Sequence, residues 1–95
     1  MKTIASATFL GTASNVVGTT TKSGIPMTTF TMTTIKSING EDKPLYHSIV
    51  AYNKSAELLC KFLRDGKIVY LDCEISKAIS HDEKYQFIVK TFAFV

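Results

Sequence analysis

The 95-residue chain is 45% hydrophobic and 20% charged, with 11 Lys+Arg against 8 Asp+Glu and a formal net charge of +3. That length supports one core and one domain, residues 1–95. It contains no apolar run long enough to span a membrane, and Thr and Ser break residues 1–10 too early for a secretion signal.

The mild positive charge permits a polyanionic partner without requiring one. Arg64 is the only arginine among the 11 basic residues, so bidentate reading of guanine edges is nearly excluded, and lysine point charges suit tracking of a phosphate backbone.

Thr, Val, Ile, Phe and Tyr dominate the chain and favour strands. The first predicted strand covers residues 4–20, with a bend or bulge near Gly11 or Gly18. The Thr-rich stretch then turns at Lys22-Ser23-Gly24, and Pro26 opens a second strand over residues 27–35, where it breaks no ladder. Residues 37–44 read as a polar loop with an Asn39-Gly40 turn signal. In the third strand, residues 45–52, side-chain alternation sends Tyr46, Ser48, Val50 and Tyr52 to one face and His47, Ile49 and Ala51 to the other. A short helix follows, with Ser55 as its cap, Glu57 in its first turn, Ala56, Leu59, Cys60 and Leu63 as its apolar stripe, and Gly66 as its end. Too short to hold alone, it must plug a core. The fourth strand spans residues 67–76, residues 78–84 form a polar tip, and the fifth strand spans residues 85–95. Five strands with a helix between the third and fourth is the order of an OB-fold, an all-β five-stranded Greek-key barrel.

Aromatic rings on a strand beside lysines are what a single nucleic-acid strand needs from a protein. Tyr46 and Tyr52 are the candidate stacking rings, and Lys54 lies two residues beyond Tyr52. Lys22, Lys36, Lys43, Lys77 and Lys84 fall in or near the loops that flank an OB groove and are candidate phosphate contacts. Lys61 and Lys67 belong to the helix and its exit, away from the groove. Neither His47 nor His81 has a nucleophile or carboxylate at a recognisable spacing, so no catalytic arrangement is expected. Cys60 and Cys73 suggest free thiols rather than a disulfide framework. Without a Cys-x-x-Cys or Cys/His cluster, neither a zinc site nor another cofactor is expected.

Three blocks resemble the bacterial and phage single-stranded DNA-binding proteins. Phe9-Leu10-Gly11 is similar to that family's opening in strand one, and Lys22-Ser23-Gly24-Ile25-Pro26 with Met27 to Met32 to its strand-two block. The strongest block is residues 46–72, which sets aromatic, His, Lys, Ala-Glu and Gly positions together. The resemblance implies that Tyr46 and Tyr52 stack on bases, that Lys54 contacts the DNA backbone and that His47 lies near subunit contacts. It also implies non-enzymatic, sequence-nonspecific single-stranded DNA binding in replication and recombination. The expected setting is a homo-oligomer, dimer or tetramer, in the cytoplasm of a bacterial or phage-infected cell, with replication proteins as further partners. The chain departs from the family at Ile38, where many relatives carry another stacking tryptophan, and near Ile79 and Ser80, which lack a tryptophan and an arginine cluster. Cys73 replaces a glycine, and the sequence given ends at Phe94-Val95 without an acidic tail. These departures suggest a minimal or divergent relative of phage or plasmid type, with a trimmed chain as the other explanation for the missing tail. A primosomal protein B type accessory factor shares the Ser-Gly-Ile-Pro block and is the alternative within binding proteins. An OB-fold module that binds protein is the alternative outside nucleic acid.

Overall fold

The computed structural model describes residues 4–77 and 85–95, and of Lys77 the backbone only. The expected tip at residues 78–84, with Ile79, Ser80, His81 and Lys84, lies outside the described residues.

A fifteen-residue strand is too long to pair with one neighbour throughout. Strand β1 (Ser6–Thr20) pairs antiparallel with β4 (Ile68–Lys77) from Ser6 to Thr12, and with β2 (Pro26–Ile38) from Thr12 to Thr20. β3 (Glu41–Tyr52) runs antiparallel to β2, and β5 (Tyr85–Phe94) runs antiparallel to β4. A short parallel contact, Ile49 with Phe87 and Val50 with Ile88, joins β3 to β5 and closes the barrel in the order β1-β2-β3-β5-β4. The inward side chains fill one core that includes Phe9, Phe30, Met32, Ile49, Val69 and Leu71.

The bulge in β1 is not at a glycine. It falls between Ser14 and Val17, where Asn15 takes a left-handed backbone (φ 54°). Gly11 and Gly18 serve close approach instead. A Cβ on Gly11 would collide with the Thr33 carbonyl of β2, and one on Gly18 with the Cys60 sulfur. The expected loop at residues 37–44 is also shorter than its composition suggests. Asn39 (φ 53°) and Gly40 (φ 80°) form a two-residue turn with positive φ at both positions, the type I′ geometry that matches strand twist. Pairing therefore runs to Ile38–Glu41, and Ser37, Asp42, Lys43 and Pro44 all join the ladder.

Helix α1 (Asn53–Phe62) starts two residues before Ser55, directly from the extended Tyr52, with no side-chain cap and no acidic residue in its first turn. Ala56, Leu59 and Leu63 enter the core, whereas Cys60 stays exposed. Burying the two leucines contributes roughly 2 kcal/mol each. Thr28, the buried polar side chain of β2, donates from Oγ1 to the Ala56 carbonyl (2.7 Å) and ties the plug to the barrel. The helix ends before Gly66. Arg64 Nη1 donates to the carbonyls of Leu63 (2.9 Å) and Cys60 (3.3 Å), and the Gly66 N–H bonds the Ala13 carbonyl at the entry to β4.

Cys73 lies in the core, where burial, aided by the Asp72 carboxylate, pushes its thiol from 9.0 up to about 11. The folded state keeps this proton to higher pH than the unfolded chain does. The contribution to stability is therefore present below pH 9.0 and is lost as pH rises toward about 11. A thiol reagent at neutral pH should titrate Cys60 alone in the native protein and both cysteines after unfolding. Rapid native labelling of Cys73 would contradict the core assignment.

Candidate nucleic-acid interface

The two-residue turn sets the register of the whole β2–β3 hairpin. Tyr52 sits opposite Met27, Val50 opposite Thr29, Ser48 opposite Thr31 and Tyr46 opposite Thr33. Paired residues share a face, so Tyr46 and Tyr52 stand together on the outside of the barrel, as the alternation predicts. Six residues of strand separate them by about 20 Å. That distance is too long for both rings to stack on one flat ligand. Tyr46 is 69% exposed and Tyr52 is half-buried. Among the described residues, neither ring packs on another aromatic ring and neither hydroxyl makes a hydrogen bond.

Beside Tyr52 the outer face holds an open groove of about 530 Å³, lined by Thr31, Ser48 and Tyr52 from the hairpin, Asn15 from the β1 bulge, and Tyr85 and Gln86 from β5. The last three escape sequence reasoning. Tyr85 and Gln86 reach this face through the parallel β3–β5 closure, a long-range pairing with no local signal. Asn15 reaches it through the bulge.

The lysines distribute unevenly. Lys54 is exposed on the first turn of α1, two residues after Tyr52, and Lys22 is exposed in the β1–β2 turn. Lys36 and Lys43 face each other across the hairpin, and alternation puts them on the side opposite Tyr46. Direct opposition of like charges is unfavourable. Among the described residues only an exposed ion pair from Lys43 to Glu41 (3.5 Å) offsets it, and such pairs contribute little. Lys77 ends β4, paired with Tyr85, and Lys84 lies outside the described residues. Lys61 sits over the Phe62 ring (5.3 Å) and Lys67 over the Phe94 ring (4.9 Å), both away from the groove.

His47 points to the inner side of β3. Its ring is 4.8 Å from Phe9 and 6.5 Å from Phe87, and its Nε2 is 3.0 Å from the Thr34 hydroxyl. Among the described residues no group of three or more His, Cys, Asp or Glu side chains could hold a metal ion. No helix there is long and apolar enough to cross a membrane.

A sequence comparison with curated proteins gives no significant match. Among solved structures, two crystal forms of Rim1, a mitochondrial single-stranded DNA-binding protein from S. cerevisiae, superpose closely. One has a TM-score of 0.81 at 11% identity, covering 99% of this chain and 96% of that one. The other has a TM-score of 0.79 at 12% identity, covering 98% and 97%. At such identities the likeness shows the fold, and the five strands with one helix match the OB-fold. The model of the single-strand binding protein family matches residues 8–92, nearly the whole barrel with its tyrosine-bearing face, and the chain therefore belongs to that family.

Proposed function

We propose that the chain binds single-stranded DNA with little dependence on sequence. The observation that carries this reading is the outer face of β2 and β3, where Tyr46 and Tyr52 offer rings that no other described ring covers, beside a groove, in a chain of the single-strand binding protein family. Each ring can take the face of any base. Lys54 and Lys22 flank this face and serve as phosphate contacts. Lys36 and Lys43 serve the same role from the far side of the hairpin, where a phosphate relieves the repulsion between them. Lys77 and Lys84 complete the set of proposed phosphate contacts. A duplex hides its base faces in the stack and gains nothing from the tyrosines.

The chain acts as a single OB-fold domain, a five-stranded Greek-key barrel, and binds without catalysis. Two stacking rings per subunit are modest, and several subunits sharing one strand raise affinity through effective concentration. We therefore read it as a homo-oligomer, with β1 and the His47 region as candidate contacts. Its role is to protect exposed strands during DNA replication and recombination in a bacterial or phage-infected cell.

Affinity for an oligo-dT measured across stepped salt tests the electrostatic half of this reading. The logarithm of the binding constant should fall linearly with the logarithm of salt, by about 0.7 per phosphate contact for a single strand. Lys36→Gln with Lys43→Gln should reduce that slope by about 1.4. An unchanged slope in the double variant would mean that the strand does not pass over the hairpin's lysine face.

A further inference from the structure

We propose that the groove between the β1 bulge and the start of β5 seats one nucleobase of the bound strand, its edge against the side-chain amides of Asn15 and Gln86 and its face covered by Tyr85. This rests on the strand-binding reading and deepens it, because it says which part of the strand enters the groove and gives an otherwise base-tolerant surface one point of discrimination.

The groove's lining selects the base over the phosphate. Every described residue that lines it is uncharged. A phosphate entering there would give up water without meeting a cation, at a high cost. A base presents apolar faces and a hydrogen-bonding edge, which match a lining of tyrosine, threonine, serine and amide groups. The volume of about 530 Å³ is within the range of small-ligand sites. The lysines lie outside it, where the phosphates of a strand with one base turned inward would run.

The amides are poised and unused. Among the described residues, neither the Asn15 nor the Gln86 side chain has a hydrogen-bond partner, and the Tyr85 ring, 65% exposed, packs on no other ring. An amide carries a donor and an acceptor side by side, the pattern that pairs with a base edge. The backbone at Asn15 supplies an independent observation. Its φ of 54° lies in the left-handed region, which asparagine tolerates better than most residues but still at some cost. The bulge is tied down from outside β1. The Val16 N–H donates to Asp65 Oδ1 (3.3 Å), and the Gly66 N–H donates to the Ala13 carbonyl (2.8 Å). Bulges re-aim side chains beside functional sites, and this one brings Asn15 into the groove wall.

The test compares binding of oligo-dA, oligo-dC and oligo-dT of equal length to the parent, to Asn15→Gly with Gln86→Leu, to Gln86→Leu alone and to Tyr85→Ala. Glycine keeps the left-handed backbone at position 15, and Gln86→Leu alone gives the same readout without touching the bulge. The ratio of tightest to weakest homopolymer should shrink by about threefold in the double variant, and in the same direction in the single one. Tyr85→Ala should weaken all three by about fivefold or more, as loss of a stacking ring does. The salt slope should stay unchanged throughout. An unaltered ratio beside normal parent binding, or a reduced salt slope, would overturn the base-seating proposal alone. Failure of the parent to bind any of the three would overturn the strand-binding reading beneath it.

Discussion

Tyr46→Ala combined with Tyr52→Ala should weaken oligo-dT binding by roughly 2–4 kcal/mol, about thirty- to several-hundredfold, with the barrel intact. Stacking on one aromatic ring is worth about 1–3 kcal/mol per base. The two rings lie too far apart to share a base, so their losses should be nearly additive. Tyr46 should be the cleaner single variant. It stands on the part of the hairpin that leaves the core, so its removal opens no cavity. Tyr52 is half-buried at the junction of β3 and α1, and its loss should lower the urea midpoint slightly as well. Phenylalanine at both positions should restore most of the affinity, because neither hydroxyl has a partner among the described residues. An alanine pair that binds like the parent would leave the tyrosines as ordinary surface residues.

Gly11→Ala should destabilise the fold by about 3 kcal/mol, the upper end of what overpacking costs. The added Cβ would run into the backbone carbonyl of Thr33, and the Met32 sulfur lies 3.1 Å away on the same side. This is where β1 passes from its β4 partner to its β2 partner. Neither ladder can give way without disturbing the barrel's closure. Gly18→Ala is the informative comparison. Its Cβ would meet the Cys60 side chain, which is exposed and able to rotate, so the loss should be about 1 kcal/mol or less. Urea unfolding of the two variants measures both. Equal midpoints would mean that β1 can shift at Gly11, contrary to the tight crossing described.

The glycines also illustrate how far the sequence could be read. Glycine in a strand signals either a bulge or a close backbone approach, and the residue alone does not separate the two. At Gly11 and Gly18 the approach is the reason, and the bulge went to Asn15. The number and order of strands, and the helix between the third and fourth, were legible from β-branched and aromatic runs and from the Ala56–Leu59–Leu63 spacing. Element ends were less so. Residues 37–44 have the composition of a loop, yet the Asn39-Gly40 turn is tight enough to let them pair. The helix begins without the cap that Ser55 suggested, because the strand feeds it directly and tertiary burial holds it.

For the candidate site, strand alternation was enough to put Tyr46 and Tyr52 on one face and His47 on the other. The same rule, applied across the full hairpin, separates Lys36 and Lys43 from the tyrosines, but only once the register is known. Tyr85, Gln86 and Asn15 depend on barrel closure, which brings together residues far apart in the chain. No local pattern encodes that meeting.

The central claim is that the outer face of β2 and β3 holds a single DNA strand by its exposed bases. Fluorescence anisotropy with a labelled oligo-dT and a duplex of equal length, at low and moderate salt, tests it most directly. Tight oligo-dT binding, much weaker duplex binding and a preference that survives moderate salt is the predicted result. Equal affinity for both, vanishing together as salt rises, would contradict it and leave only a nonspecific attraction between lysines and phosphate.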